Sequence, residues 1–474
     1  MLITGQMQAQ LFQQRQMDEI QARLDLIHLA WDYYEGRHPA PLLVKPNQPD
    51  DNVIINLARP VVDKGIALLF GKEVTWQADE SAATESGAET FLAAVWAAND
   101  KMALLHEVAQ NGALAGLAAV KVAPRPGDVQ RPYRLINLDP ANLSIDCDDE
   151  DIDDVERYVI QYTCCDPATG EELVKRQEIV AIEDESTDLV THWTIQDFEA
   201  RGAQKTFQPV SDPVVWPYAL PPIVHCKNLP LANCVWGVGD LEDVKLNDAL
   251  NLIASSTRKI LRLHASPQTV AKGFNPAMLR RDANQIWEIP EGTDGDLYNL
   301  EMQSDLAASL EFYRTLRSAF YAQGRMPDVS QVGDLGALTN FGLRVLFADA
   351  LERTATKRML YGGLITRINR LLCLIAGKGD NVTTTLTWSD PLPVNEKELT
   401  ETVGLKQKTG LISDETLTGE LGADYADEQT RLKAERAAKA AQQPQQPAMG
   451  GQMPMPDQMP QSMPGQMPPQ GGMA

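Results

Sequence analysis

Asn52-Val53-Ile54-Ile55-Asn56-Leu57-Ala58-Arg59-Pro60-Val61-Val62-Asp63 runs from an apolar segment into a helix start near Pro60. It stands between two others, Tyr33-Tyr34-Glu35-Gly36-Arg37-His38-Pro39 and Leu69-Phe70-Gly71-Lys72-Glu73-Val74. Upstream, Leu24, Ile27, Ala30 and Trp31 recur at the spacing that makes one face of a helix apolar. Gly36 and then Pro39 stop that helix, because proline lacks an N–H and biases the residue before it away from helical dihedrals. A second helix is predicted from near Pro60, a favourable early position. It turns Val62, Ile66, Leu69 and Phe70 toward a core and has Gly71 as its C-terminal stop. Neither helix carries a catalytic constellation.

Composition narrows the alternatives. With 474 residues, 43% of them hydrophobic, the chain can bury a large core and is expected to form more than one domain. A formal charge of -23 argues against a conventional DNA-binding protein, whose affinity rests on Lys and Arg displacing phosphate counterions. An acidic wall suits a duplex that must slide without sticking, and acidity equally suits a large protein kept apart from its copies by like charge. The cysteines are Cys147, Cys164, Cys165, Cys226, Cys234 and Cys373. They contain no C-x-x-C pair, so reduced thiols in a cytosolic setting are expected. Residues 1–16 lack the basic and then apolar pattern of a signal peptide. The most apolar runs, Gly112 to Val122 and Leu364 to Ala376, are short for a membrane span, and Arg367 and Arg370 interrupt the second.

Along the chain, helix spacing runs from about Ala88 to Ala118, and strand patterns follow at 118–123, 133–138, 157–163, 178–182 and 189–195. The acidic run Asp146 to Asp154 lacks the Gly and Glu that a calcium loop of the EF-hand type requires, and reads as a solvated turn. A helix is expected from Asp240, as N-cap, to His264, with Leu246, Leu250, Ile253 and Ile260 as its apolar stripe. Arg258, Lys259 and Arg262 gather in its last turns, where the helix dipole favours cations. A Pro- and Gly-punctuated insert at 265–303 carries short strands near 268–271 and 285–289. A second helix over 304–323 sets Leu306, Leu310, Tyr313 and Phe320 on one side. After a break at 324–339, a long helix runs over about 340–376, bent at Gly362-Gly363. A strand at 382–388 and amphipathic helices over 395–441 follow, and the Gln-, Pro- and Met-rich residues 442–474 are expected to be disordered.

Enzymatic motifs appear only with an essential part missing. Gly65 to Lys72 is one residue too long for a phosphate loop, and Glu73 stands where Ser or Thr would hold magnesium. Gly237-Val238-Gly239 has Glu242 in place of the third glycine of a dinucleotide fingerprint. His106-Glu107 opens a zinc-protease pattern that ends in Gln110. No catalytic residue, metal ligand or cofactor site is assigned.

The three N-terminal stretches, in their order and spacing, resemble the opening of the portal proteins of tailed bacteriophages of the long-tailed (siphovirus) branch. The resemblance implies an α+β, mainly helical portal fold and a ring of twelve subunits, in the virion at one capsid vertex, assembled in the host cytoplasm. It divides the chain into a wing-like body (1–238), a first stem helix (239–264) and a clip-like insert (265–303). Then come a second stem helix (304–323), a tunnel loop (324–339), a long helix with a returning strand (340–393), crown-like helices (394–441) and the tail. Double-stranded DNA would pass through the channel. The large terminase would dock on the clip and supply ATP hydrolysis, a head-completion adaptor would replace it, and capsid and scaffold proteins would contact the ring. No membrane is implied. The channel-facing loop maps to Val332, Gly333, Asp334, Leu335, Gly336, Ala337 and Leu338. Arg258, Lys259 and Arg262 are candidate DNA-facing cations. Phe347, with Leu343, Leu346, Leu351 and Leu360, is a candidate oligomer contact. The rival readings are an acidic metal-dependent hydrolase or nuclease, whose carboxylates gather only in the fold, and a non-channel phage scaffold or adaptor.

Overall fold

Helix α1 (Gly5–Glu35) buries Ile27, Ala30 and Tyr33 along its last turns and ends at Gly36. Helix α2 (Ala58–Phe70) follows, with Val61, Val62, Leu69 and Phe70 inside. The computed structural model describes residues 5–78, 87–148, 150–167, 169–184, 189–201, 206–241, 244–265, 269–272, 296–299, 306–331, 339–379, 382–393, 396–410, 412–420 and 425–442. Two compact units divide the chain, Met1–Pro393 and Val394–Ala474.

Strand β1 (Thr75–Ala78) leads to α3 (Ala88–Ala98) and α4 (Lys101–Ala115), where the sequence predicts one uninterrupted helix. The break has a cause. Asn99 turns its side chain to the neighbouring strand, donating to the Tyr133 carbonyl at 2.8 Å and accepting from the Leu135 N–H at 3.0 Å, and Asp100 adopts φ 51°. Strand β2 (Leu117–Pro124) pairs with β3 (Tyr133–Leu138), its small residues Ala118 and Ala119 fully buried.

A larger antiparallel sheet is built from β4 (Leu143–Cys147), β5 (Val155–Cys165), β6 (Glu172–Glu183), β7 (Val190–Arg201) and β8 (Gln208–Pro209), with β9 (Val214–Trp216) also paired to β7. Pairing extends β5, β6 and β7 several residues beyond their period-2 segments. In the acidic turn between β4 and β5, Asp148 accepts from the Glu150 and Asp151 N–H groups, so its carboxylate satisfies the turn's own backbone. Strand β10 (Ile223–Lys227) completes the three-stranded sheet.

Next come α5 (Lys245–Ala265), β11 (Thr269–Lys272), β12 (Asp296–Asn299) and α6 (Leu306–Gln323). β11 and β12 pair antiparallel, and the strand expected at 285–289 lies outside the described residues. Helix α5 begins five residues later than expected, because Asp240 is not its N-cap but a buried ion-pair partner. Leu310, expected on the packed side of α6, is exposed.

The long helix is divided into α7 (Asn340–Leu346) and α8 (Ala348–Ile375) at Phe347, and it runs unbroken through Gly362-Gly363. Packing explains the continuity: Tyr361, Leu364, Ile365 and Ile368 are buried, and Gly362 lies beside Trp388, which outweighs a cost of about 1 kcal/mol per helical glycine. Asn369 of α8 accepts from the Trp96 indole N–H at 2.7 Å. Strand β13 (Thr384–Thr387) pairs with β1 and ties the end of this unit to its beginning.

The second unit holds α9 (Glu396–Thr409), α10 (Asp414–Glu420) and α11 (Tyr425–Gln442). Ser413 Oγ accepts from the Thr416 N–H at 3.3 Å and caps α10, and Val403 and Leu417 are buried. Residues 443–474, where disorder is expected, lie outside the described residues.

Candidate functional site

Helices α5 and α6 pack on each other through a second buried cluster in which Leu246 and Leu250, near the start of α5, meet Phe320 and Tyr321, near the end of α6. One side chain, Arg353, reaches both Asp240, ahead of α5, and the Gly324 carbonyl, at the end of α6, so the two helices run in opposite directions. Three features fix the base of this pair, and none of them is an apolar contact.

The first is a strap. Residues 51–57 lie along α5 with alternate N–H groups pointing at it, as in a strand. Val53 donates to Ser255 Oγ at 2.9 Å, Ile55 to Asn251 Oδ1 at 2.9 Å, and Leu57 to Asn247 Oδ1 at 3.0 Å. In return Asn247 Nδ2 donates to the Ile55 carbonyl at 3.0 Å, Ser255 Oγ to that of Val53 at 3.3 Å, and Arg258 to that of Asn52 at 3.1 Å. The registers match because two strand residues advance about 6.7 Å and four helix residues about 6 Å. Arg262 closes the far end, donating to both Asp51 oxygens at 2.8 and 2.6 Å. That hydrogen bonding holds the Asp51 carboxyl below the usual carboxylate range.

The second is the junction made by the Tyr33 to Pro39 stretch, which Asn56 joins to the strap. Tyr33 donates to the Asp248 carboxylate and stacks edge-on against His38 at 4.7 Å. Asn56 Nδ2 donates to the Tyr34 carbonyl at 3.0 Å. Two of the three N-terminal stretches thus converge on the first turns of α5, whereas Leu69, Phe70 and Val74 of the third pack in the main core.

The third is a buried ionic cluster. Lys357 Nζ reaches both oxygens of Asp240 at 2.7 Å, Arg353 reaches one at 2.6 Å, and Asn228 Nδ2 donates to the same carboxylate at 2.9 Å. All three charged side chains are at most 4% exposed. Burial alone would push the Asp240 carboxyl up, but Lys357 and Arg353 together hold it below its ordinary value. Burial pushes the Lys357 ammonium down, against the pull of Asp240. Gly65 of α2 makes room, since a Cβ there would sit 2.9 Å from Asp240 Oδ2. Gly237 serves a similar end: a Cβ would meet the Leu229 and Gly116 carbonyls at 2.5 and 2.6 Å. The glycines that resemble a dinucleotide fingerprint are thus explained by close backbone approach.

Arg353 also donates to the Gly324 carbonyl at the end of α6. There the Met326 N–H bonds to Tyr321 O at 2.9 Å and the Arg325 N–H to Ala322 O at 3.0 Å, a Schellman ending with Arg325 in the left-handed position at φ 50°. Glycine is the residue favoured at that position. Arg325→Gly is expected to raise stability by up to about 1 kcal/mol, read as a higher denaturant midpoint at unchanged slope.

The candidate residues separate. Val332 to Leu338 lie outside the described residues, between a turn at Val329–Gln331 and the Thr339 N-cap of α7. Arg258 and Arg262 are engaged with the strap, whereas Lys259 is exposed. Phe347 is half-buried in the second cluster with Leu343 and Leu351, while Phe341 on α7 is 75% exposed. Sequence reasoning missed Asn247, Asn251 and Ser255. Their signal was present as a polar stripe at four-residue spacing inside an otherwise amphipathic helix. Among the described residues no three His, Cys, Asp or Glu side chains gather as a metal set, and no helix is long and apolar enough to cross a membrane.

Residues 14–442 match the model of the family "Phage portal protein, SPP1 Gp6-like". The chain belongs to that portal family. Its role is that of a portal channel, a virion component at the head-tail connection, in a family that is generally structural. Curated proteins give no match. Among solved structures, the chain is similar to one in the neck of an empty gene transfer agent (GTA) particle computed with C6 symmetry, at TM-score 0.42 and 14% identity over 77% of this chain and 89% of that one. A chain in the virion of the native GTA particle gives the same values. One in the native neck computed with C12 symmetry gives TM-score 0.41 and 14% identity, over 77% of this chain and 90% of that one.

Proposed function

We propose that this portal chain assembles into a twelve-subunit ring around a DNA channel. Helices α5 and α6 are its stem, residues 265–303 its clip, residues 1–238 its wing and residues 394–441 its crown. The observation that carries this reading is the antiparallel α5–α6 pair, whose entry at Asp240 and exit at Gly324 are both held by Arg353 of α8. In sequence, segment 332–338 lies between α6 and α7. That segment is the tunnel loop facing DNA. The clip takes the large terminase during packaging and a head-completion adaptor afterwards, scaffold and capsid proteins contact the ring, and assembly occurs in the host cytoplasm. Catalysis belongs to the terminase. Negative-stain imaging of the purified chain is the test: a ring with an axial hole is expected, and a monomer with metal-dependent turnover would overturn the reading in favour of the hydrolase.

Ring contacts are best probed at α7. Phe341→Asp is expected to leave a folded protomer and abolish rings in light scattering, because Phe341 exposes apolar surface that its own protomer does not cover. Phe347→Asp would strike the protomer core as well as any contact between copies, so monomers from Phe341→Asp are the cleaner reading.

Arg258, Lys259 and Arg262 are the candidate hold on phosphates. Replacing all three with Gln is expected to weaken a low-affinity DNA retention that falls as salt rises. Packaged DNA length and retention in assembled heads measure it. Lys259→Gln alone separates charge from the strap, since Arg258 and Arg262 serve both; unchanged heads in the triple variant would make the cluster purely structural.

A further inference from the structure

Asp240 faces two cations where one would neutralise it. Lys357 and Arg353 stand four residues apart on one face of α8, and Asp240 precedes α5. The second positive charge has a different partner: Arg353 donates to the Gly324 carbonyl, at the C-terminus of α6, where unpaired carbonyls concentrate the negative end of the helix dipole. One guanidinium therefore touches the entry to α5 through Asp240 and the exit from α6 through Gly324. The chain that leaves α6 at Gly324 comes back as α7 and α8, so this contact also clasps the base of segment 325–352.

We propose that Arg353 is a positioning residue for the portal channel, the joint through which α8 fixes the α5–α6 pair and the base of the segment between α6 and α7. Its functional meaning rests on the portal reading. Among the described residues Lys357 makes no such second contact, and its role is to compensate Asp240. If the last turn of α6 shifts away, a buried guanidinium loses its carbonyl partner, so the joint resists that movement and transmits force between α8 and the pair.

The two cations on one carboxylate are thus not equivalent, and amide hydrogen exchange on the full chain tests the difference. The reporters are the N–H groups of Gly324, Arg325 and Met326, bonded to Phe320, Ala322 and Tyr321 carbonyls. Arg353→Met leaves Asp240 paired one to one with Lys357, and exchange at the three reporters is expected to rise about tenfold or more, as the α6 ending opens locally. Exchange at Val53, Ile55 and Leu57 of the strap stays as in the parent. Lys357→Met is expected to leave the reporters unchanged. Arg353→Lys keeps the charge without the planar fork, so it should fail to restore protection and serves as the variant to read if Arg353→Met does not fold. Unchanged reporters in the Arg353 variants, or an equal rise in Lys357→Met, would overturn the proposal. These amides report without DNA or a ring, so a failure here is distinct from failure of the channel reading, which imaging tests.

Discussion

Asp240→Ala is expected to be the most damaging single substitution in the larger unit, lowering stability by about 3–5 kcal/mol. The magnitude follows from what remains. Removing the carboxylate leaves Lys357 and Arg353 facing each other at no more than 4% exposure, with Asn228 Nδ2 also losing an acceptor. Water cannot repair this from outside, and the native stability of a domain is only about 5–15 kcal/mol. Asp240→Asn is expected to fall between parent and alanine, because it keeps shape and one acceptor but not the charge. Lys357→Met should be close to neutral, since replacing a surplus buried cation by an apolar chain removes a desolvation cost as well as an attraction. The double variant Asp240→Ala with Lys357→Met should then recover part of the loss, which a double-mutant cycle in denaturant reads as coupling. Additive losses would mean that the cluster's charges do not interact.

The same residue marks where local reading of the sequence stops. Gly239-Asp240-Leu241 before an amphipathic run has the appearance of a helix start, and capping is a local rule. What overrides it is Lys357, 117 residues later, and no periodicity reports a partner that distant. The break between α3 and α4 is of the same kind, since Asn99 answers to β3, across the sheet and not along the helix. By contrast α2 was legible in full, because its apolar spacing, Pro60 and Gly71 all lie within one segment. Strands β1 and β10 escaped notice for a different reason. Both are short, and β1 owes its strand conformation to pairing with β13 at the far end of the unit.

The N-terminal stretches were legible as a pattern before their mechanism was, and the strap supplies it. Asn247→Ala is expected to cost about 2–4 kcal/mol, the sum of two backbone groups left without partners, one buried at Leu57 and one half-buried at Ile55. Asn247 is fully buried, and its amide both accepts from the Leu57 N–H and donates to the Ile55 carbonyl. Alanine leaves a donor and an acceptor facing a gap too near α5 for free solvation. Asn247→Asp would satisfy Leu57 but set a carboxylate against the Ile55 carbonyl, so it should not rescue. Ser255→Ala, which keeps the neighbouring rungs intact, should cost less, about 1–2 kcal/mol, because Val53 is only half-buried, so water reaches the groups it leaves unpaired, and the bond to the Val53 carbonyl is already long at 3.3 Å. The readout that separates a lost rung from general unfolding is proteolysis at residues 39–50, just ahead of the strap. Asn247→Ala should be cut there under conditions in which α2 and α8 stay protected. If Asn247→Ala instead unfolds as a whole with no selective cleavage, the strap is inseparable from the core, and the extended stretch 51–57 is a structural strand that the helix merely completes.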